Sequence, residues 1–210
     1  MESASVIKNM KIGLTTTREE EHSVDQQLKG ISLFLGGARS GKSTYAQQLA
    51  EQSRQKITYL ATAETTDSEM EMRINAHKAS RSALWETWEG EPRQLPGIIA
   101  QTEGVLLLDC LTLWLTRLFL HAPESEADEE KTWLLCQEGI FKQVEALLLP
   151  GSYRHLIIVS NEVGLSLVPP NRMGRRFRDL QGKANQMVAA RADRVALFVA
   201  GIPLWIKGSS

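Results

Sequence analysis

The chain has 210 residues, 42% hydrophobic and 23% charged, the composition of one globular domain with room for a substantial core. A formal net charge of −1 creates no general attraction for nucleic acid or an anionic membrane, and two cysteines, Cys110 and Cys136, are too few for a disulfide framework. No charged leader followed by an apolar core opens the chain and no apolar run approaches bilayer length, so a soluble, cytoplasmic protein is expected.

Residues 1–28 are polar, with Thr15-Thr16-Thr17 and Glu19-Glu20-Glu21, and read as a flexible extension ahead of a domain spanning 29–210. Val6 to Leu14 could alternatively form a short extra strand. From Ile31 onward strand and helix signals alternate. Ile31–Leu35 is a first strand and Thr44–Gln55 a first helix; Ile57–Thr62, β-branched and aromatic, is a second strand. Asp67–Ser80 is helical, Trp85–Trp88 a short extended piece, Pro92–Thr102 a short helix and Gly104–Asp109 a third strand. Helices at Leu111–Leu120 and Lys131–Leu149 flank the acidic stretch His121–Glu130, which reads as a solvated loop. Leu156–Ser160 is a fourth strand, Asn171–Arg191 a long helix and Val195–Val199 a fifth strand. Gly201-Ile202-Pro203 then turns into a last strand, Leu204–Lys207, antiparallel at an edge. The parallel candidates are apolar throughout rather than alternating, so both their faces must be buried. The fold class that follows is α/β: a mostly parallel sheet with helices on both faces and an antiparallel edge strand at the C-terminus.

The chemistry starts at Gly36-Gly37-Ala38-Arg39-Ser40-Gly41-Lys42-Ser43, which fits G-x-x-x-x-G-K-S between a strand and a helix. Glycines let the backbone close around phosphates, successive N–H groups point inward, and the helix N-terminus adds positive charge. Lys42 would reach the β- and γ-phosphates and Ser43 would hold Mg²⁺. The domain is therefore a P-loop NTPase-like one that binds a nucleoside triphosphate. A second metal anchor is expected as an acid at the end of a neighbouring apolar strand, and Asp109 stands there. Thr62-Ala63-Glu64 ends the second strand at the same edge, where ligands of such sheets bind, although a simple helix cap would use the same residues. Arg73, His77 and Arg81 recur every four residues with Lys78 alongside, a cationic helix face that suits polyphosphate or is merely solvated. His77 could contact phosphate, relay a proton or attack phosphorus. Asn161-Glu162-Val163-Gly164 follows the fourth strand, and Glu162 could take a substrate proton or serve the turn. The segment 171–194 carries a surplus of arginines, with Arg175 and Asp179 spaced to pair at i, i+4. The aromatic platforms of nucleic-acid binders are absent.

Taken together, several blocks resemble one family. They are the phosphate loop, Tyr59-Leu60-Ala61-Thr62-Ala63, Glu69-Met70-x-x-Arg73-Ile74-x-x-His77-Lys78-x-x-Arg81 and Trp85-x-Thr87-x-Glu89. Then come Leu107 to Trp114, Ser160-Asn161-Glu162-Val163-Gly164, Val168-Pro169, Arg176-x-Arg178-Asp179-x-x-Gly182-x-x-Asn185-Gln186 and Ala200-Gly201-Ile202-Pro203. The chain resembles the bifunctional adenosylcobinamide kinases / adenosylcobinamide-phosphate guanylyltransferases over about residues 31 to 207. The resemblance implies phosphorylation of adenosylcobinamide by ATP or GTP. Transfer of GMP from GTP to that phosphate follows, through a covalent histidine adduct that His77 would carry. It implies Thr62, Ala63, Glu64, Lys78, Arg81 and Glu89 near the guanine nucleotide and a homo-oligomer, a trimer for preference; Glu162 and Arg178 are the candidate substrate contacts. Two other readings remain open at this point: a phosphate-loop kinase of another small molecule, and a nucleotide-dependent regulatory binding protein.

Overall fold

A computed structural model describes residues 29–64, 68, 71, 72, 75, 78, 82–120 and 129–209. The extension 1–28 with its alternative strand Val6–Leu14, and the stretch 121–128, lie outside the described residues, as do Arg73, His77 and Arg81.

The elements in chain order are β1 (Gly30–Gly36), α1 (Lys42–Gln52), β2 (Ile57–Ala61), β3 (Glu86–Glu89), a 3₁₀ turn (Pro92–Gln94), α2 (Leu95–Gln101) and β4 (Gly104–Asp109). They continue with α3 (Leu111–Leu120), α4 (Glu129–Leu147), β5 (Tyr153–Asn161), α5 (Arg172–Arg191), β6 (Arg194–Val199) and β7 (Ile202–Lys207). Ser68, Glu71, Met72, Asn75 and Lys78 are also helical. The strands form one seven-stranded sheet in the order β3-β2-β4-β5-β1-β6-β7. All pairs are parallel except β6 with β7, as the apolar strand pattern requires. The extended piece at Trp85–Trp88 turns out to be a full member of the sheet: β3 pairs in parallel with β2, Leu60 against Trp88. Its short length and half-polar sequence suit an edge.

The order of strands fixes where the helices go. Crossovers between parallel strands are right-handed, so connections running opposite ways along the sheet place their helices on opposite faces. From β1 to β2 the chain runs one way, which puts α1 on one face. From β3 through β4 and β5 to β6 it runs the other way, and α2, α3, α4 and α5 cover the second face. The core divides accordingly. Leu106, Leu108, Leu156 and Ile158 point toward Ile99, Trp114, Val144 and Leu180, whereas Val105, Leu107, Ile157 and Val159 point toward Ala46, Leu49 and Ala50. Period-two alternation along each strand supplies both sets. Trp114 is fully buried, and its indole N–H donates to the Pro92 carbonyl at 2.7 Å, which ties α3 to the 3₁₀ turn.

Because β1 sits between β5 and β6 while its own helix leads away toward β2, the sheet reverses direction beside it. Ligands of open α/β sheets bind at the carboxyl ends of the strands at such a reversal. The opposite, amino-terminal end holds a purely structural histidine. His155 is fully buried on β5, its Nε2 is 2.8 Å from Ser32 Oγ, and Nδ1 has no partner among the described residues. Burial, with Arg194 and Arg154 nearby, pulls its pKa down to about 3. A histidine that folds neutral binds fewer protons than in the unfolded chain, so its contribution is complete above the ordinary value and is lost as pH falls toward 3. Between pH 7 and pH 5 this should remove about 2 kcal/mol. Urea unfolding at both pH values should show that loss in the parent chain and a much flatter dependence in His155→Gln.

Candidate active site

Four strands bring polar residues to the carboxyl edge: Thr62 just past β2, Glu89 on β3, Asp109 on β4 and Asn161 on β5. β1 delivers the phosphate loop. Gly36 sits where a Cβ would fall 2.5 Å from Ser40 Oγ and 2.8 Å from the Phe198 carbonyl, so no larger residue fits. Gly41 has φ 92°, and a Cβ there would lie 2.9 Å from Gly201 Cα. Arg39 also adopts a left-handed conformation, φ 56°. The loop is held from both flanks: Gly201 N–H donates to Ser40 O at 2.9 Å, and Glu162 N–H donates to Gly36 O at 3.1 Å. Gly41→Ala forces backbone against backbone and demands an unfavourable φ. It should weaken nucleotide binding at least tenfold in a titration with fluorescent GTP analogue, while the circular-dichroism spectrum is kept.

Gly41 caps α1 with no side-chain hydrogen bond, so the first-turn N–H groups have no side-chain partner to compete with a phosphate. Lys42 is buried, and its Nζ donates to the Gly37 carbonyl at 2.9 Å, curled across the loop it belongs to. Burial lowers its pKa, with Cys110 and Asp109 opposing. Ser40 Oγ is buried with no partner among the described residues, a hydroxyl turned into the loop. Ser43 Oγ donates to Asp109 Oδ1 at 3.2 Å, and Tyr59 Oη donates to Oδ2 at 3.3 Å. The expected metal pair thus stands together. A hydroxyl and a carboxylate side by side at the foot of a phosphate cradle are an all-oxygen donor set, which suits Mg²⁺ completed by phosphates and water. Cys110, next in the chain, is no rival nucleophile: burial, with Asp109, raises its thiol to about 12.

Other expected residues have partners that redefine them. Thr62 Oγ1 donates to the Cys110 carbonyl and accepts from the Cys110 N–H, both at 2.8 Å, and is buried. Its side chain is committed to fixing the backbone after Asp109. Ala63 follows without a side-chain donor. Glu64 pairs with Arg117 Nε at 2.5 Å, and Arg117 Nη1 also donates to the Gly90 carbonyl at 3.0 Å, which links the ends of β2 and β3 through α3. Lys78 Nζ meets Glu89 Oε1 at 2.8 Å, so two residues assigned to the nucleotide stand together beside β3. Four strand spacings separate β3 from β1, about 19 Å, close to the length of an extended nucleotide. Glu162 Oε1 accepts from Gly164 N–H at 2.8 Å, which is turn chemistry, while its own N–H touches the phosphate loop.

The arginine surplus on α5 is smaller than the sequence suggests. Arg175 does not pair with Asp179. Its Nη1 donates instead to the carbonyls of Pro169 and Pro170 at 3.1 and 2.8 Å, which no helical N–H can reach, and Asp179 lies 3.5 Å from Arg178 Nε. Arg172 and Arg176 are both clamped by Glu129 and Glu130. These two acids are not loop residues but the first turn of α4, where the helix dipole favours negative charge. Arg176 also lies 5.1 Å over the Trp133 ring. Arg178 remains half-buried on α5 with Asp179 as its partner.

One cluster escaped the sequence. Ser160 Oγ donates to Asn185 Oδ1 at 2.7 Å, Gln181 Nε2 donates to both, and Asn185 Nδ2 donates to the Asn161 carbonyl at 3.2 Å. Thr112 Oγ1 receives the Asn161 N–H at 2.9 Å. Together they fix the end of β5 beside the phosphate loop. The signal was present: Gln181 and Asn185 are polar residues at i, i+4 on the face that otherwise carries Leu180, Ala184 and Val188.

No described helix is long and apolar enough to cross a membrane. The profile of the family described as cobinamide kinase / cobinamide phosphate guanyltransferase matches residues 32–206. The bifunctional adenosylcobalamin biosynthesis protein CobP of Pseudomonas aeruginosa is 44% identical over 179 residues, 84% of this chain and 96% of that protein. The CobU protein of Salmonella typhimurium, of the same description, is 38% identical over 83% of this chain and 98% of its own. Among solved structures, the flagellar accessory protein FlaH from Methanocaldococcus jannaschii aligns over 88% of this chain and 84% of its own at 13% identity, with a TM-score of 0.40. With its phosphate loop, paired Ser43 and Asp109 and this match over most of its length, the chain belongs to the cobinamide kinase / cobinamide phosphate guanyltransferase family.

Proposed function

We propose that the protein phosphorylates the aminopropanol hydroxyl of adenosylcobinamide and then transfers GMP from GTP to the new phosphate, giving adenosylcobinamide-GDP and pyrophosphate. The observation that carries this reading is the set of Lys42, Ser43 and Asp109 gathered in one cradle, in a chain of that family. Gly36 to Ser43 wrap the triphosphate with backbone N–H groups. Lys42 leaves the Gly37 carbonyl for the β- and γ-oxygens. Ser43 and Asp109 would hold Mg²⁺, which supplies neutralisation of the charge that builds on the phosphates. In the kinase step the acceptor hydroxyl attacks the γ-phosphorus and gives its proton to solvent, an O–P bond forms, and the bond from the γ-phosphorus to the β–γ bridging oxygen breaks, releasing the nucleoside diphosphate.

In the second step the neutral imidazole of His77 attacks the α-phosphorus of GTP, an N–P bond forms, and pyrophosphate departs with the bridging oxygen. A phosphate oxygen of adenosylcobinamide-phosphate then attacks the same phosphorus and releases the imidazole. Lys78 and Glu89, paired beside β3, flank that chemistry. The 19 Å or so between β3 and β1 lets one extended nucleotide reach from the phosphate loop to the Lys78–Glu89 pair, or lets two nucleotides bind apart. The working form is a cytoplasmic homo-oligomer, a trimer on the family's precedent. GTP labelled at the α- or γ-phosphate tests the scheme. With adenosylcobinamide present, γ-label should enter the corrinoid first and α-label second; γ-label that enters without any later α-label would leave only the kinase.

A further inference from the structure

The connection between β5 and α5 is expensive to keep as it stands. Leu165 is 82% exposed, Leu167 93%, Val168 64%, and Met173, in the first turn of α5, 59%. Single exposed apolar residues are ordinary, but four large ones gathered within nine positions of one loop and helix start make a patch of the kind that marks a binding surface. The backbone beneath them is not loose. Glu162 Oε1 accepts from Gly164 N–H at 2.8 Å, Ser166 Oγ donates to the Val163 carbonyl at 2.7 Å, and Asn171 Oδ1 accepts from Gly174 N–H at 2.6 Å. Arg175 holds the carbonyls of Pro169 and Pro170. Side chains and prolines staple the loop into shape while its apolar groups face water, the arrangement of a surface prepared for a ligand.

Its place in the fold selects the ligand. The loop that carries these residues starts at Glu162, whose N–H donates to Gly36 O, so it leaves the sheet from the flank of the phosphate cradle. Toward β2 and β3 the same rim carries the ion pairs Glu64–Arg117 and Lys78–Glu89 instead. An acceptor that presents a hydroxyl over the phosphate loop must rest the remainder of its body on this rim. The acceptor of the proposed reaction is a corrinoid, a large ring studded with methyl groups and amides, and its methylated edge needs an apolar support. We propose that Leu165, Leu167, Val168 and Met173 form the bed on which the corrin ring of the acceptor lies. This rests on the corrinoid reading above and adds where the ring sits.

The test uses the full chain and the double variant Leu165→Ser/Leu167→Ser, both positions being exposed enough to tolerate serine. Adenosylcobinamide is the probe, followed by equilibrium dialysis and by steady-state phosphorylation; a fluorescent GTP analogue and analytical ultracentrifugation serve as controls. Dissociation constant and KM for adenosylcobinamide should rise about tenfold or more, with kcat within about twofold, since the lost contact acts on ground and transition state alike. GTP binding and sedimentation should not change, and Leu165→Met/Leu167→Met should restore affinity. Unchanged corrinoid affinity in a variant that binds GTP normally would overturn the bed while leaving the enzyme assignment intact. Loss of affinity that tracks a fall in sedimentation coefficient would overturn it too, by assigning the patch to a contact between copies. A parent chain that neither binds nor phosphorylates adenosylcobinamide would remove the underlying reading first.

Discussion

Lys42→Ala is expected to abolish adenosylcobinamide phosphorylation and GMP transfer together, each by at least about 10³-fold. On the proposed scheme each reaction begins with a triphosphate held by this loop, and each builds negative charge on oxygens within reach of Lys42. The lysine is buried, and its hydrogen-bond partner among the described residues, the Gly37 carbonyl at 2.9 Å, belongs to the cradle itself. That contact holds the ammonium close to the phosphate position, so little reorganisation is needed when the nucleotide arrives. Alanine removes the charge and leaves the Gly37 carbonyl without this donor, but it sits at the start of α1, where alanine is an excellent helix former. The fold should therefore survive, and thermal melts should shift by only a few degrees. Lys42→Arg should not rescue, because a guanidinium is larger and binds as a planar fork rather than as a point charge. Product analysis with labelled GTP reads both activities in one experiment. Retention of either at more than a few per cent of the parent rate would mean that the two reactions do not share this cradle.

The phosphate loop and the meeting of Ser43 with Asp109 were legible because they are local or depend on strand direction alone. Gly36 to Ser43 are contiguous, and Asp109 follows from the rule that acids at the ends of neighbouring apolar strands share one edge. The structure places Ser43 Oγ 3.2 Å from Asp109 Oδ1, as that reasoning requires. The parallel sheet and its antiparallel last strand were legible for a similar reason, since continuous apolar strands admit few arrangements. Side-chain partnerships were less legible. The spacing of Arg175 and Asp179 permits an ion pair, yet two proline carbonyls offer the arginine fixed acceptors nearer to hand. Thr62 looked like a ligand contact because it ends a strand at the right edge, but its register beside Cys110 spends the hydroxyl on backbone. Glu129 and Glu130 looked solvated because their partners, Arg172 and Arg176, lie more than forty residues away. Sequence pattern speaks to which face a residue occupies; which of several partners on that face it chooses is decided by a few tenths of an ångström of packing.

His77→Ala should separate the two reactions that Lys42→Ala removes together. Phosphorylation of adenosylcobinamide needs the cradle, a metal and an acceptor, and none of these uses an imidazole, so it should persist within a few-fold of the parent rate. Transfer of GMP should fall below detection, because the residues next to His77 in sequence offer no comparable nucleophile. Residue 76 is alanine, and Lys78 Nζ is bound to Glu89 at 2.8 Å. Mass spectrometry of the parent chain after GTP should find one added GMP, stable to base and labile to acid as a phosphoramidate is, on the peptide that contains His77. Adduct formation should also fall at acid pH, where a protonated ring has no lone pair to offer. The Lys78–Glu89 pair gives a control that a purely structural role would not match. Glu89→Gln frees Lys78 and should alter the rate of adduct formation without touching phosphorylation. Equal loss of both activities in His77→Ala would instead make this residue a general nucleotide contact. Guanylyl transfer would then need another nucleophile, or direct attack of the corrinoid phosphate on GTP.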